Sequence, residues 1–350
     1  MSSRRVSALA LLTALLIGPL LLGACGSPAT DGPPDAPTSA PSSSPPSAAP
    51  SSAAPSSAAP SSTAPAPDAE PPVAAGSSAD LEVDGRPVEL AVPAGYDASD
   101  PAPLLVALHG FGDSPAGVDE GLGLRDEAAR RGMLYALPEG TPDPAGRLFW
   151  DAADACCGFD AEPVDDSGYL AEVIRTIADA YAVDPARVAV VGHSNGGFMA
   201  YRMACDHADL VTVAVSLAGA MPADDGACSP SEPVTVVQAH GTADTVIAFD
   251  GGGTPGGDYT SAPGSAAAWA RLDGCADEPR DAAGALDLDT GLAGAETSVA
   301  SYAGCAAGAR VELWTIDGGS HSPSLGDAFA HGVLDVVADP TAAAASGAGR

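Results

Sequence analysis

The chain has 350 residues, with 46 acidic side chains against 14 basic ones and a formal charge of −32. Every basic residue is arginine, and the surplus of carboxylates argues against nucleic acid as a partner and against electrostatic docking on anionic lipid. Most of these carboxylates read as a solvated surface that keeps the protein soluble.

In chain order, Arg4 and Arg5 precede an apolar stretch, 6–22, that runs into LLGAC. Residues 1–25 therefore read as a signal peptide, with an apolar part short for a spanning helix. The segment resembles a bacterial lipoprotein signal with its lipobox, which implies acylation at Cys25. An ordinary cleavable signal or an uncleaved anchor is the alternative. Residues 26–75 are almost only Pro, Ser, Ala and Thr, as in APSSSPPSAAPSSAAPSSAAPSSTAPAP. Such a stretch buries too little apolar surface to offset ordering entropy and is expected to be a disordered linker. It would reach about 40 Å as a coil and about 150 Å in polyproline II. Residues 76–340 are expected to form one domain with a substantial core, and 341–350 a disordered tail.

Within the domain, LEVDGRPVELAVP places two short extended stretches around Asp84-Gly85, a hairpin signal. PLLVALHGFGDS gives an apolar strand ending in a glycine-rich loop, GLRDEAARRG a helix, and MLYALPEG a buried strand. After a loop rich in Asp and Cys, Asp166 or Ser167 is the expected cap of GYLAEVIRTIADAY, which places Leu170, Ile174, Ile177 and Tyr181 on one face. RVAVVGHS is the next strand, followed by a helix over 196–206, strands LVTVAVSLAG and PVTVVQAHG, a helix over 264–273, strand ARVELWTI and a helix over 325–338. Apolar strands alternating with amphipathic helices predict an α/β fold, a mostly parallel central sheet with helices on both faces. Ligands gather at the carboxyl ends of such strands.

Beyond Cys25 there are six cysteines: Cys156, Cys157, Cys205, Cys228, Cys275 and Cys305. An even count in an exported chain predicts three disulfides. Adjacent Cys156 and Cys157 are expected to take different partners, and Cys275 to pair with Cys305. Zinc is disfavoured by the lack of any CxxC, and the loop acids Asp151, Asp154, Asp160, Asp165 and Asp166 lack the spacing of a calcium loop. No metal or cofactor is expected.

VVGHSNGGFMAY, 190–201, holds a Gly-x-Ser-x-Gly between a strand and a helix. A serine is a weak nucleophile unless a base takes its proton and a third group orients that base. In a nucleophile elbow, glycines such as Gly192 and Gly196 permit a strained turn and close strand-to-helix packing. A bare motif of this kind occurs often by chance, so Ser194 needs partners elsewhere. The α/β-hydrolase order is serine, acid, histidine. Asp244 follows the strand ending HG and is the expected acid, with Asp250 and Asp258 as competitors. His321 follows the next strand, in WTIDGGSHSPS, and is the expected base. His207 reads as a helix-end group, His240 as a packed brace of the acid loop and His331 as structural. The backbone N–H groups of Asn195 and Phe111 are the expected oxyanion donors. Trp150, in LFWDA, is a candidate wall of the substrate cleft, with a core position as the alternative.

HGFGDS, FWDAADACCGFD, VDDSGYL, VDPARVAVVGHSNGGFMAYRMACDHADL and HGTADTVIAFDGG together resemble the secreted polyhydroxybutyrate depolymerase and feruloyl esterase group, including actinobacterial lipoprotein esterases of the LpqC type. The resemblance implies an α/β-hydrolase fold and a triad of Ser194, Asp244 and His321. Relatives usually read GGxHxWP around the histidine, where this chain has GGSHSPS without a tryptophan. The expected protein is a lipid-anchored or secreted monomeric serine esterase on the outer side of the cell membrane, with an ester as its substrate. A peptidase on the same fold and a non-catalytic surface lipoprotein are the alternatives.

Overall fold

The computed structural model describes residues 71–157, 162–224, 226 and 228–341. Cys25, Asp160, the linker through residue 70 and the tail from 342 lie outside them. All described residues fall within one compact unit, Pro60–Arg350.

The first hairpin joins β1 (Ser78–Val83) to β2 (Arg86–Ala91). Asp84 and Gly85 turn it with φ of 49° and 77°, the left-handed pair that matches strand twist. Next come β3 (Ala102–Leu108), α1 (Pro115–Leu122), α2 (Arg125–Arg130) and β4 (Leu134–Pro138). Two short strands, β5 (Thr141–Pro142) and β6 (Leu148–Phe149), pair with each other before α3 (Asp166–Ala180), β7 (Val183–His193) and α4 (Asn195–Asp206). The chain continues through β8 (Val213–Leu217), β9 (Thr235–Gly241), the small hairpin β10 (Gly252–Thr254) and β11 (Gly257–Tyr259), and α5 (Ala262–Leu272). It ends with β12 (Arg280–Asp281), β13 (Thr297–Tyr302), β14 (Val311–Ile316) and α6 (Asp327–Ala338).

Ten strands form the main sheet in the order β1-β2-β4-β3-β7-β8-β9-β14-β13-β12. The six strands from β4 to β14 in that order are parallel, and both edges are antiparallel. Alternation at period two splits each apolar strand between two cores. Leu104, Val106, Val188 and Val190 pack on the face covered by α3, α4 and α5. Leu105, Ala107, Ala189 and Val191 pack on the other, with α1, α2 and α6. Burial on both faces explains why these strands read as unbroken apolar runs.

Several expectations are corrected here. The domain begins before residue 76: Val73 is buried, and its N–H and C=O both bond the Tyr181 hydroxyl, at 2.7 and 2.9 Å. The cap of α3 is Asp165, which accepts from the Gly168 N–H at 2.8 Å. Asp166 instead lies fully buried against Arg86 at 2.7 Å, and Ser167 bonds Asp206. Cys156 and Cys157 pair with each other rather than with different partners, their Cα atoms 3.1 Å apart, and the other four cysteines of the described residues are joined as Cys205–Cys228 and Cys275–Cys305.

Candidate active site

Ser194 sits between β7 and α4 with φ 54° and ψ −117°, a conformation that a non-glycine residue adopts only when its surroundings impose it. Those surroundings are backbone. A Cβ on Gly192 would lie 2.0 Å from the Gly196 carbonyl oxygen, and one on Gly196 would lie 2.2 Å from that of Leu108. Only glycine allows this approach. The Ser194 N–H is tied to the Leu217 carbonyl at 2.8 Å, so the end of β8 also fixes the turn.

His321 lies on the loop after β14 and Asp244 on the loop after β9. His321 Nε2 is 2.9 Å from Ser194 Oγ, and His321 Nδ1 is 2.7 Å from Asp244 Oδ2. The three side chains thus form one hydrogen-bonded line across the carboxyl ends of the parallel strands β7, β9 and β14, with β8 lying between the first two. Asp250 and Asp258 take no part in it. Burial pushes the Asp244 carboxyl upward, but hydrogen bonds from His240, His321 and the Val246 N–H outweigh it and hold the group well below the usual carboxylate range. His240 braces the acid loop: its Nε2 bonds the Ile247 carbonyl at 2.8 Å and lies 3.2 Å from Asp244. His207 ends α4, and His331 lies on α6 beside Glu127.

The loop after β3 borders Ser194, since a Cβ on Gly110 would lie 3.4 Å from the Ser194 Cβ. His109 orders this loop. It accepts from the Gly140 N–H at Nε2, 3.0 Å, which leaves Nδ1 to donate to the Gly110 carbonyl at 2.8 Å. Burial lowers its pKa, so the ring stays neutral. In a trans peptide the carbonyl and the following N–H point opposite ways, so fixing the Gly110 oxygen also fixes the Phe111 N–H. The N–H groups of Phe111 and Asn195 have no acceptor among the described residues.

Trp150 is not a cleft wall. It is fully buried behind the same loop, its indole N–H donating to the His109 carbonyl at 3.0 Å. The Asn195 amide clamps it from the other side, accepting from the Trp150 N–H at 2.7 Å and donating to the Trp150 carbonyl at 2.9 Å. Neither the clamp nor the His109 brace was anticipated. The one available signal was the pairing of buried polar residues with a loop that must be rigid.

Two cavities among the described residues bear on this region, and only the first adjoins it. One of about 220 Å³, lined by Val118, Leu122, His193, Leu217, Pro323 and Leu325 among others, lies beneath the His321 loop. A wider acidic one of about 890 Å³, with Asp151, Asp154, Asp224 and Asp258 in its wall, touches none of the three aligned side chains. Of its acids, Asp151 accepts from the Val164 N–H, Asp224 accepts from the Gly226 N–H, and Asp165 and Asp166 are engaged as described.

A family model described as the prolyl oligopeptidase family matches residues 128–246, well under half of the chain. The match includes Ser194 and Asp244 and stops before His321. The chain is 28% identical over 250 residues to feruloyl esterase B of Piromyces equi, covering 69% of this chain but only 43% of that one. It is 26% identical over 262 residues to feruloyl esterase D of Neurospora crassa, covering 73% and 81%. Among solved structures, the acetyl xylan esterase from Aspergillus awamori aligns with a TM-score of 0.52 at 14% identity, over 75% of this chain and 98% of that one. With its parallel sheet, its elbow and this alignment, the chain has the α/β-hydrolase fold.

Proposed function

We propose that the chain is a serine hydrolase of carboxylic esters that works through an acyl-enzyme. The observation that carries this reading is the unbroken line Ser194–His321–Asp244, with bonds of 2.9 and 2.7 Å. His321 Nε2 takes the proton from Ser194 Oγ as that oxygen attacks the ester carbonyl carbon. The oxyanion accepts from the Asn195 and Phe111 N–H groups. Collapse breaks the bond to the alcohol, which leaves with the proton from His321. A water then gives a proton to His321 while its oxygen attacks the acyl carbon, and Ser194 leaves with that proton. Asp244 stays ionised and holds the Nδ1–H tautomer throughout. The scheme needs no cofactor.

Esters of feruloyl type are the first substrates to test, because the relatives from Piromyces equi and Neurospora crassa carry that name. Hydroxybutyrate oligomers rest on the motif resemblance. A peptidase is the second reading, favoured by the prolyl oligopeptidase match. Rates on methyl ferulate, aryl acetates, hydroxybutyrate oligomers and peptide amides separate the three. Ser194→Ala should lower kcat on the best ester by about 10⁶. Unchanged ester hydrolysis in that variant would sink the mechanism, and amide rates equal to ester rates would favour the peptidase.

The enzyme is proposed to act as a monomer outside the cytoplasmic membrane, held by a lipid on Cys25 and a linker. Three disulfides fit an oxidising compartment. Incorporation of labelled fatty acid, lost in Cys25→Ser, tests the anchor.

A further inference from the structure

We infer that His193, the residue before the nucleophile, is a positioning residue that holds His321 in line with Ser194 through a hydrogen bond to the His321 carbonyl. The inference rests on the catalytic reading of Ser194 and His321 given above. His193 Nε2 lies 2.8 Å from the His321 oxygen. A carbonyl only accepts, so Nε2 carries the proton and donates. The carbonyl belongs to the same residue whose ring meets Ser194, so a shift of this oxygen carries the ring with it.

Other supports of the loop fall short of its tip. Gly318 N–H bonds Thr242 Oγ1 at 2.8 Å, the Gly319 oxygen accepts from Ala243 at 3.0 Å, and Ser324 bonds Asp289 and Thr290. Between Ser320 and Pro323, the bond from His193 is the one main-chain tie to the body of the protein among the described residues. Beneath that tip lies the 220 Å³ cavity, whose wall includes His193, Ser322 and Pro323. Packing therefore supports the loop weakly on this side, and a polar tie must do what close-packed side chains do elsewhere.

The ring suits the task chemically as well. Its other nitrogen faces Gly110, where an added Cβ would lie 3.4 Å from Nδ1, so one imidazole spans the oxyanion loop and the histidine loop. Asp113, Asp244 and His321 are the titratable groups that act on it, and burial lowers its pKa foremost. A neutral ring 5.0 Å from that of His321 does not oppose the positive charge that His321 takes up during the reaction.

His193→Phe keeps the ring bulk and removes the donor, while His193→Gln puts an amide N–H near the position of Nε2. We expect His193→Phe to lower kcat by about 10- to 100-fold with KM within about twofold, and to slow Ser194 labelling by an organophosphonate in parallel. His193→Gln should recover most of that loss. A His193→Phe enzyme with kcat within about twofold of the parent overturns the inference, and so does equal loss in both variants at equal Tm. If His193→Phe does not fold, the comparison passes to His193→Asn, whose amide is too short to reach: Gln well above Asn supports the inference, and Gln equal to Asn overturns it. Ser194→Ala runs beside them. Full activity there removes the catalytic reading itself, whereas a dead Ser194→Ala with a fully active His193→Phe removes only the role of His193.

Discussion

Ser194 and His321 are held by different physics. Around Ser194 the constraint is steric: Gly192 and Gly196 bring backbone against backbone so closely that no side chain fits, and Ser194 takes a strained φ of 54°. His321 stands on a loop whose root is wedged, a Cβ on Gly241 falling 2.2 Å from the Gly319 oxygen, but whose tip rides above a cavity. Steric constraint cannot relax without moving a strand. A loop tied by a few hydrogen bonds can adjust by fractions of an ångström, which suits the proton transfers proposed for His321.

Asp244→Asn probes the tied side most directly. An amide cannot hold the same His321 tautomer, so kcat should fall by about 10⁴-fold with fold and Tm retained, as checked by steady-state rates and thermal melts. Loss of the fold instead would mean that Asp244 is structural first. On the wedged side, Gly192→Ala places its Cβ 2.0 Å from a carbonyl oxygen and should cost about 4 kcal/mol or more in urea unfolding. Gly318→Ala on the histidine loop meets only Leu292, at 3.8 Å, and should cost about 1 kcal/mol from its φ of 77° alone. Equal costs for the two would erase the distinction. Asn195→Ala falls between them: it leaves the buried Trp150 N–H without its acceptor and the Trp150 carbonyl with the Ala152 N–H alone, and should cost about 2 kcal/mol in the same assay.

What was legible in the sequence follows the same division. Strands buried on both faces announce themselves as apolar runs, and the elbow shows because its glycines are obligatory. The order serine, acid, histidine then locates Asp244 and His321, each after its own strand. Contacts between residues distant in sequence do not show. Trp150 looked like a cleft aromatic because nothing in LFWDA reveals that its peptide group meets an amide 45 residues away. Helix α1 went unread because PAGVDEGL carries two glycines and a proline, and it stands on its Ser114 cap and on the burial of Val118 and Leu122. Strand β13 was missed because Thr297–Tyr302 alternates weakly and gains its place by pairing with β14. Asp165 took the cap expected of Asp166 or Ser167 because Arg86, far upstream, claims Asp166.

Asp273 offers the smallest effect and the cleanest separation of stability from chemistry. It ends α5 beside Val234, at the amino end of β9, whereas Asp244 follows the carboxyl end of that strand. Its side chain is nearly fully buried, one oxygen has no partner among the described residues, and burial pushes its pKa up to about 7 against weaker hydrogen-bonding effects. A raised pKa means that the folded state binds the proton more tightly than the unfolded one. Its contribution to stability is therefore complete below the ordinary carboxylate pKa of 3.8 and is lost as pH climbs through about 7. Asp273→Asn, which cannot ionise, should match the parent's Tm near pH 4 and exceed it by a few degrees at pH 8. Its kcat/KM profile should overlay that of the parent across the range, because no tie of the His321 loop runs through this end of the sheet. A Tm difference that stays constant with pH would show that Asp273 does not titrate in this window, and a displaced activity profile would show that the two ends of the sheet are coupled.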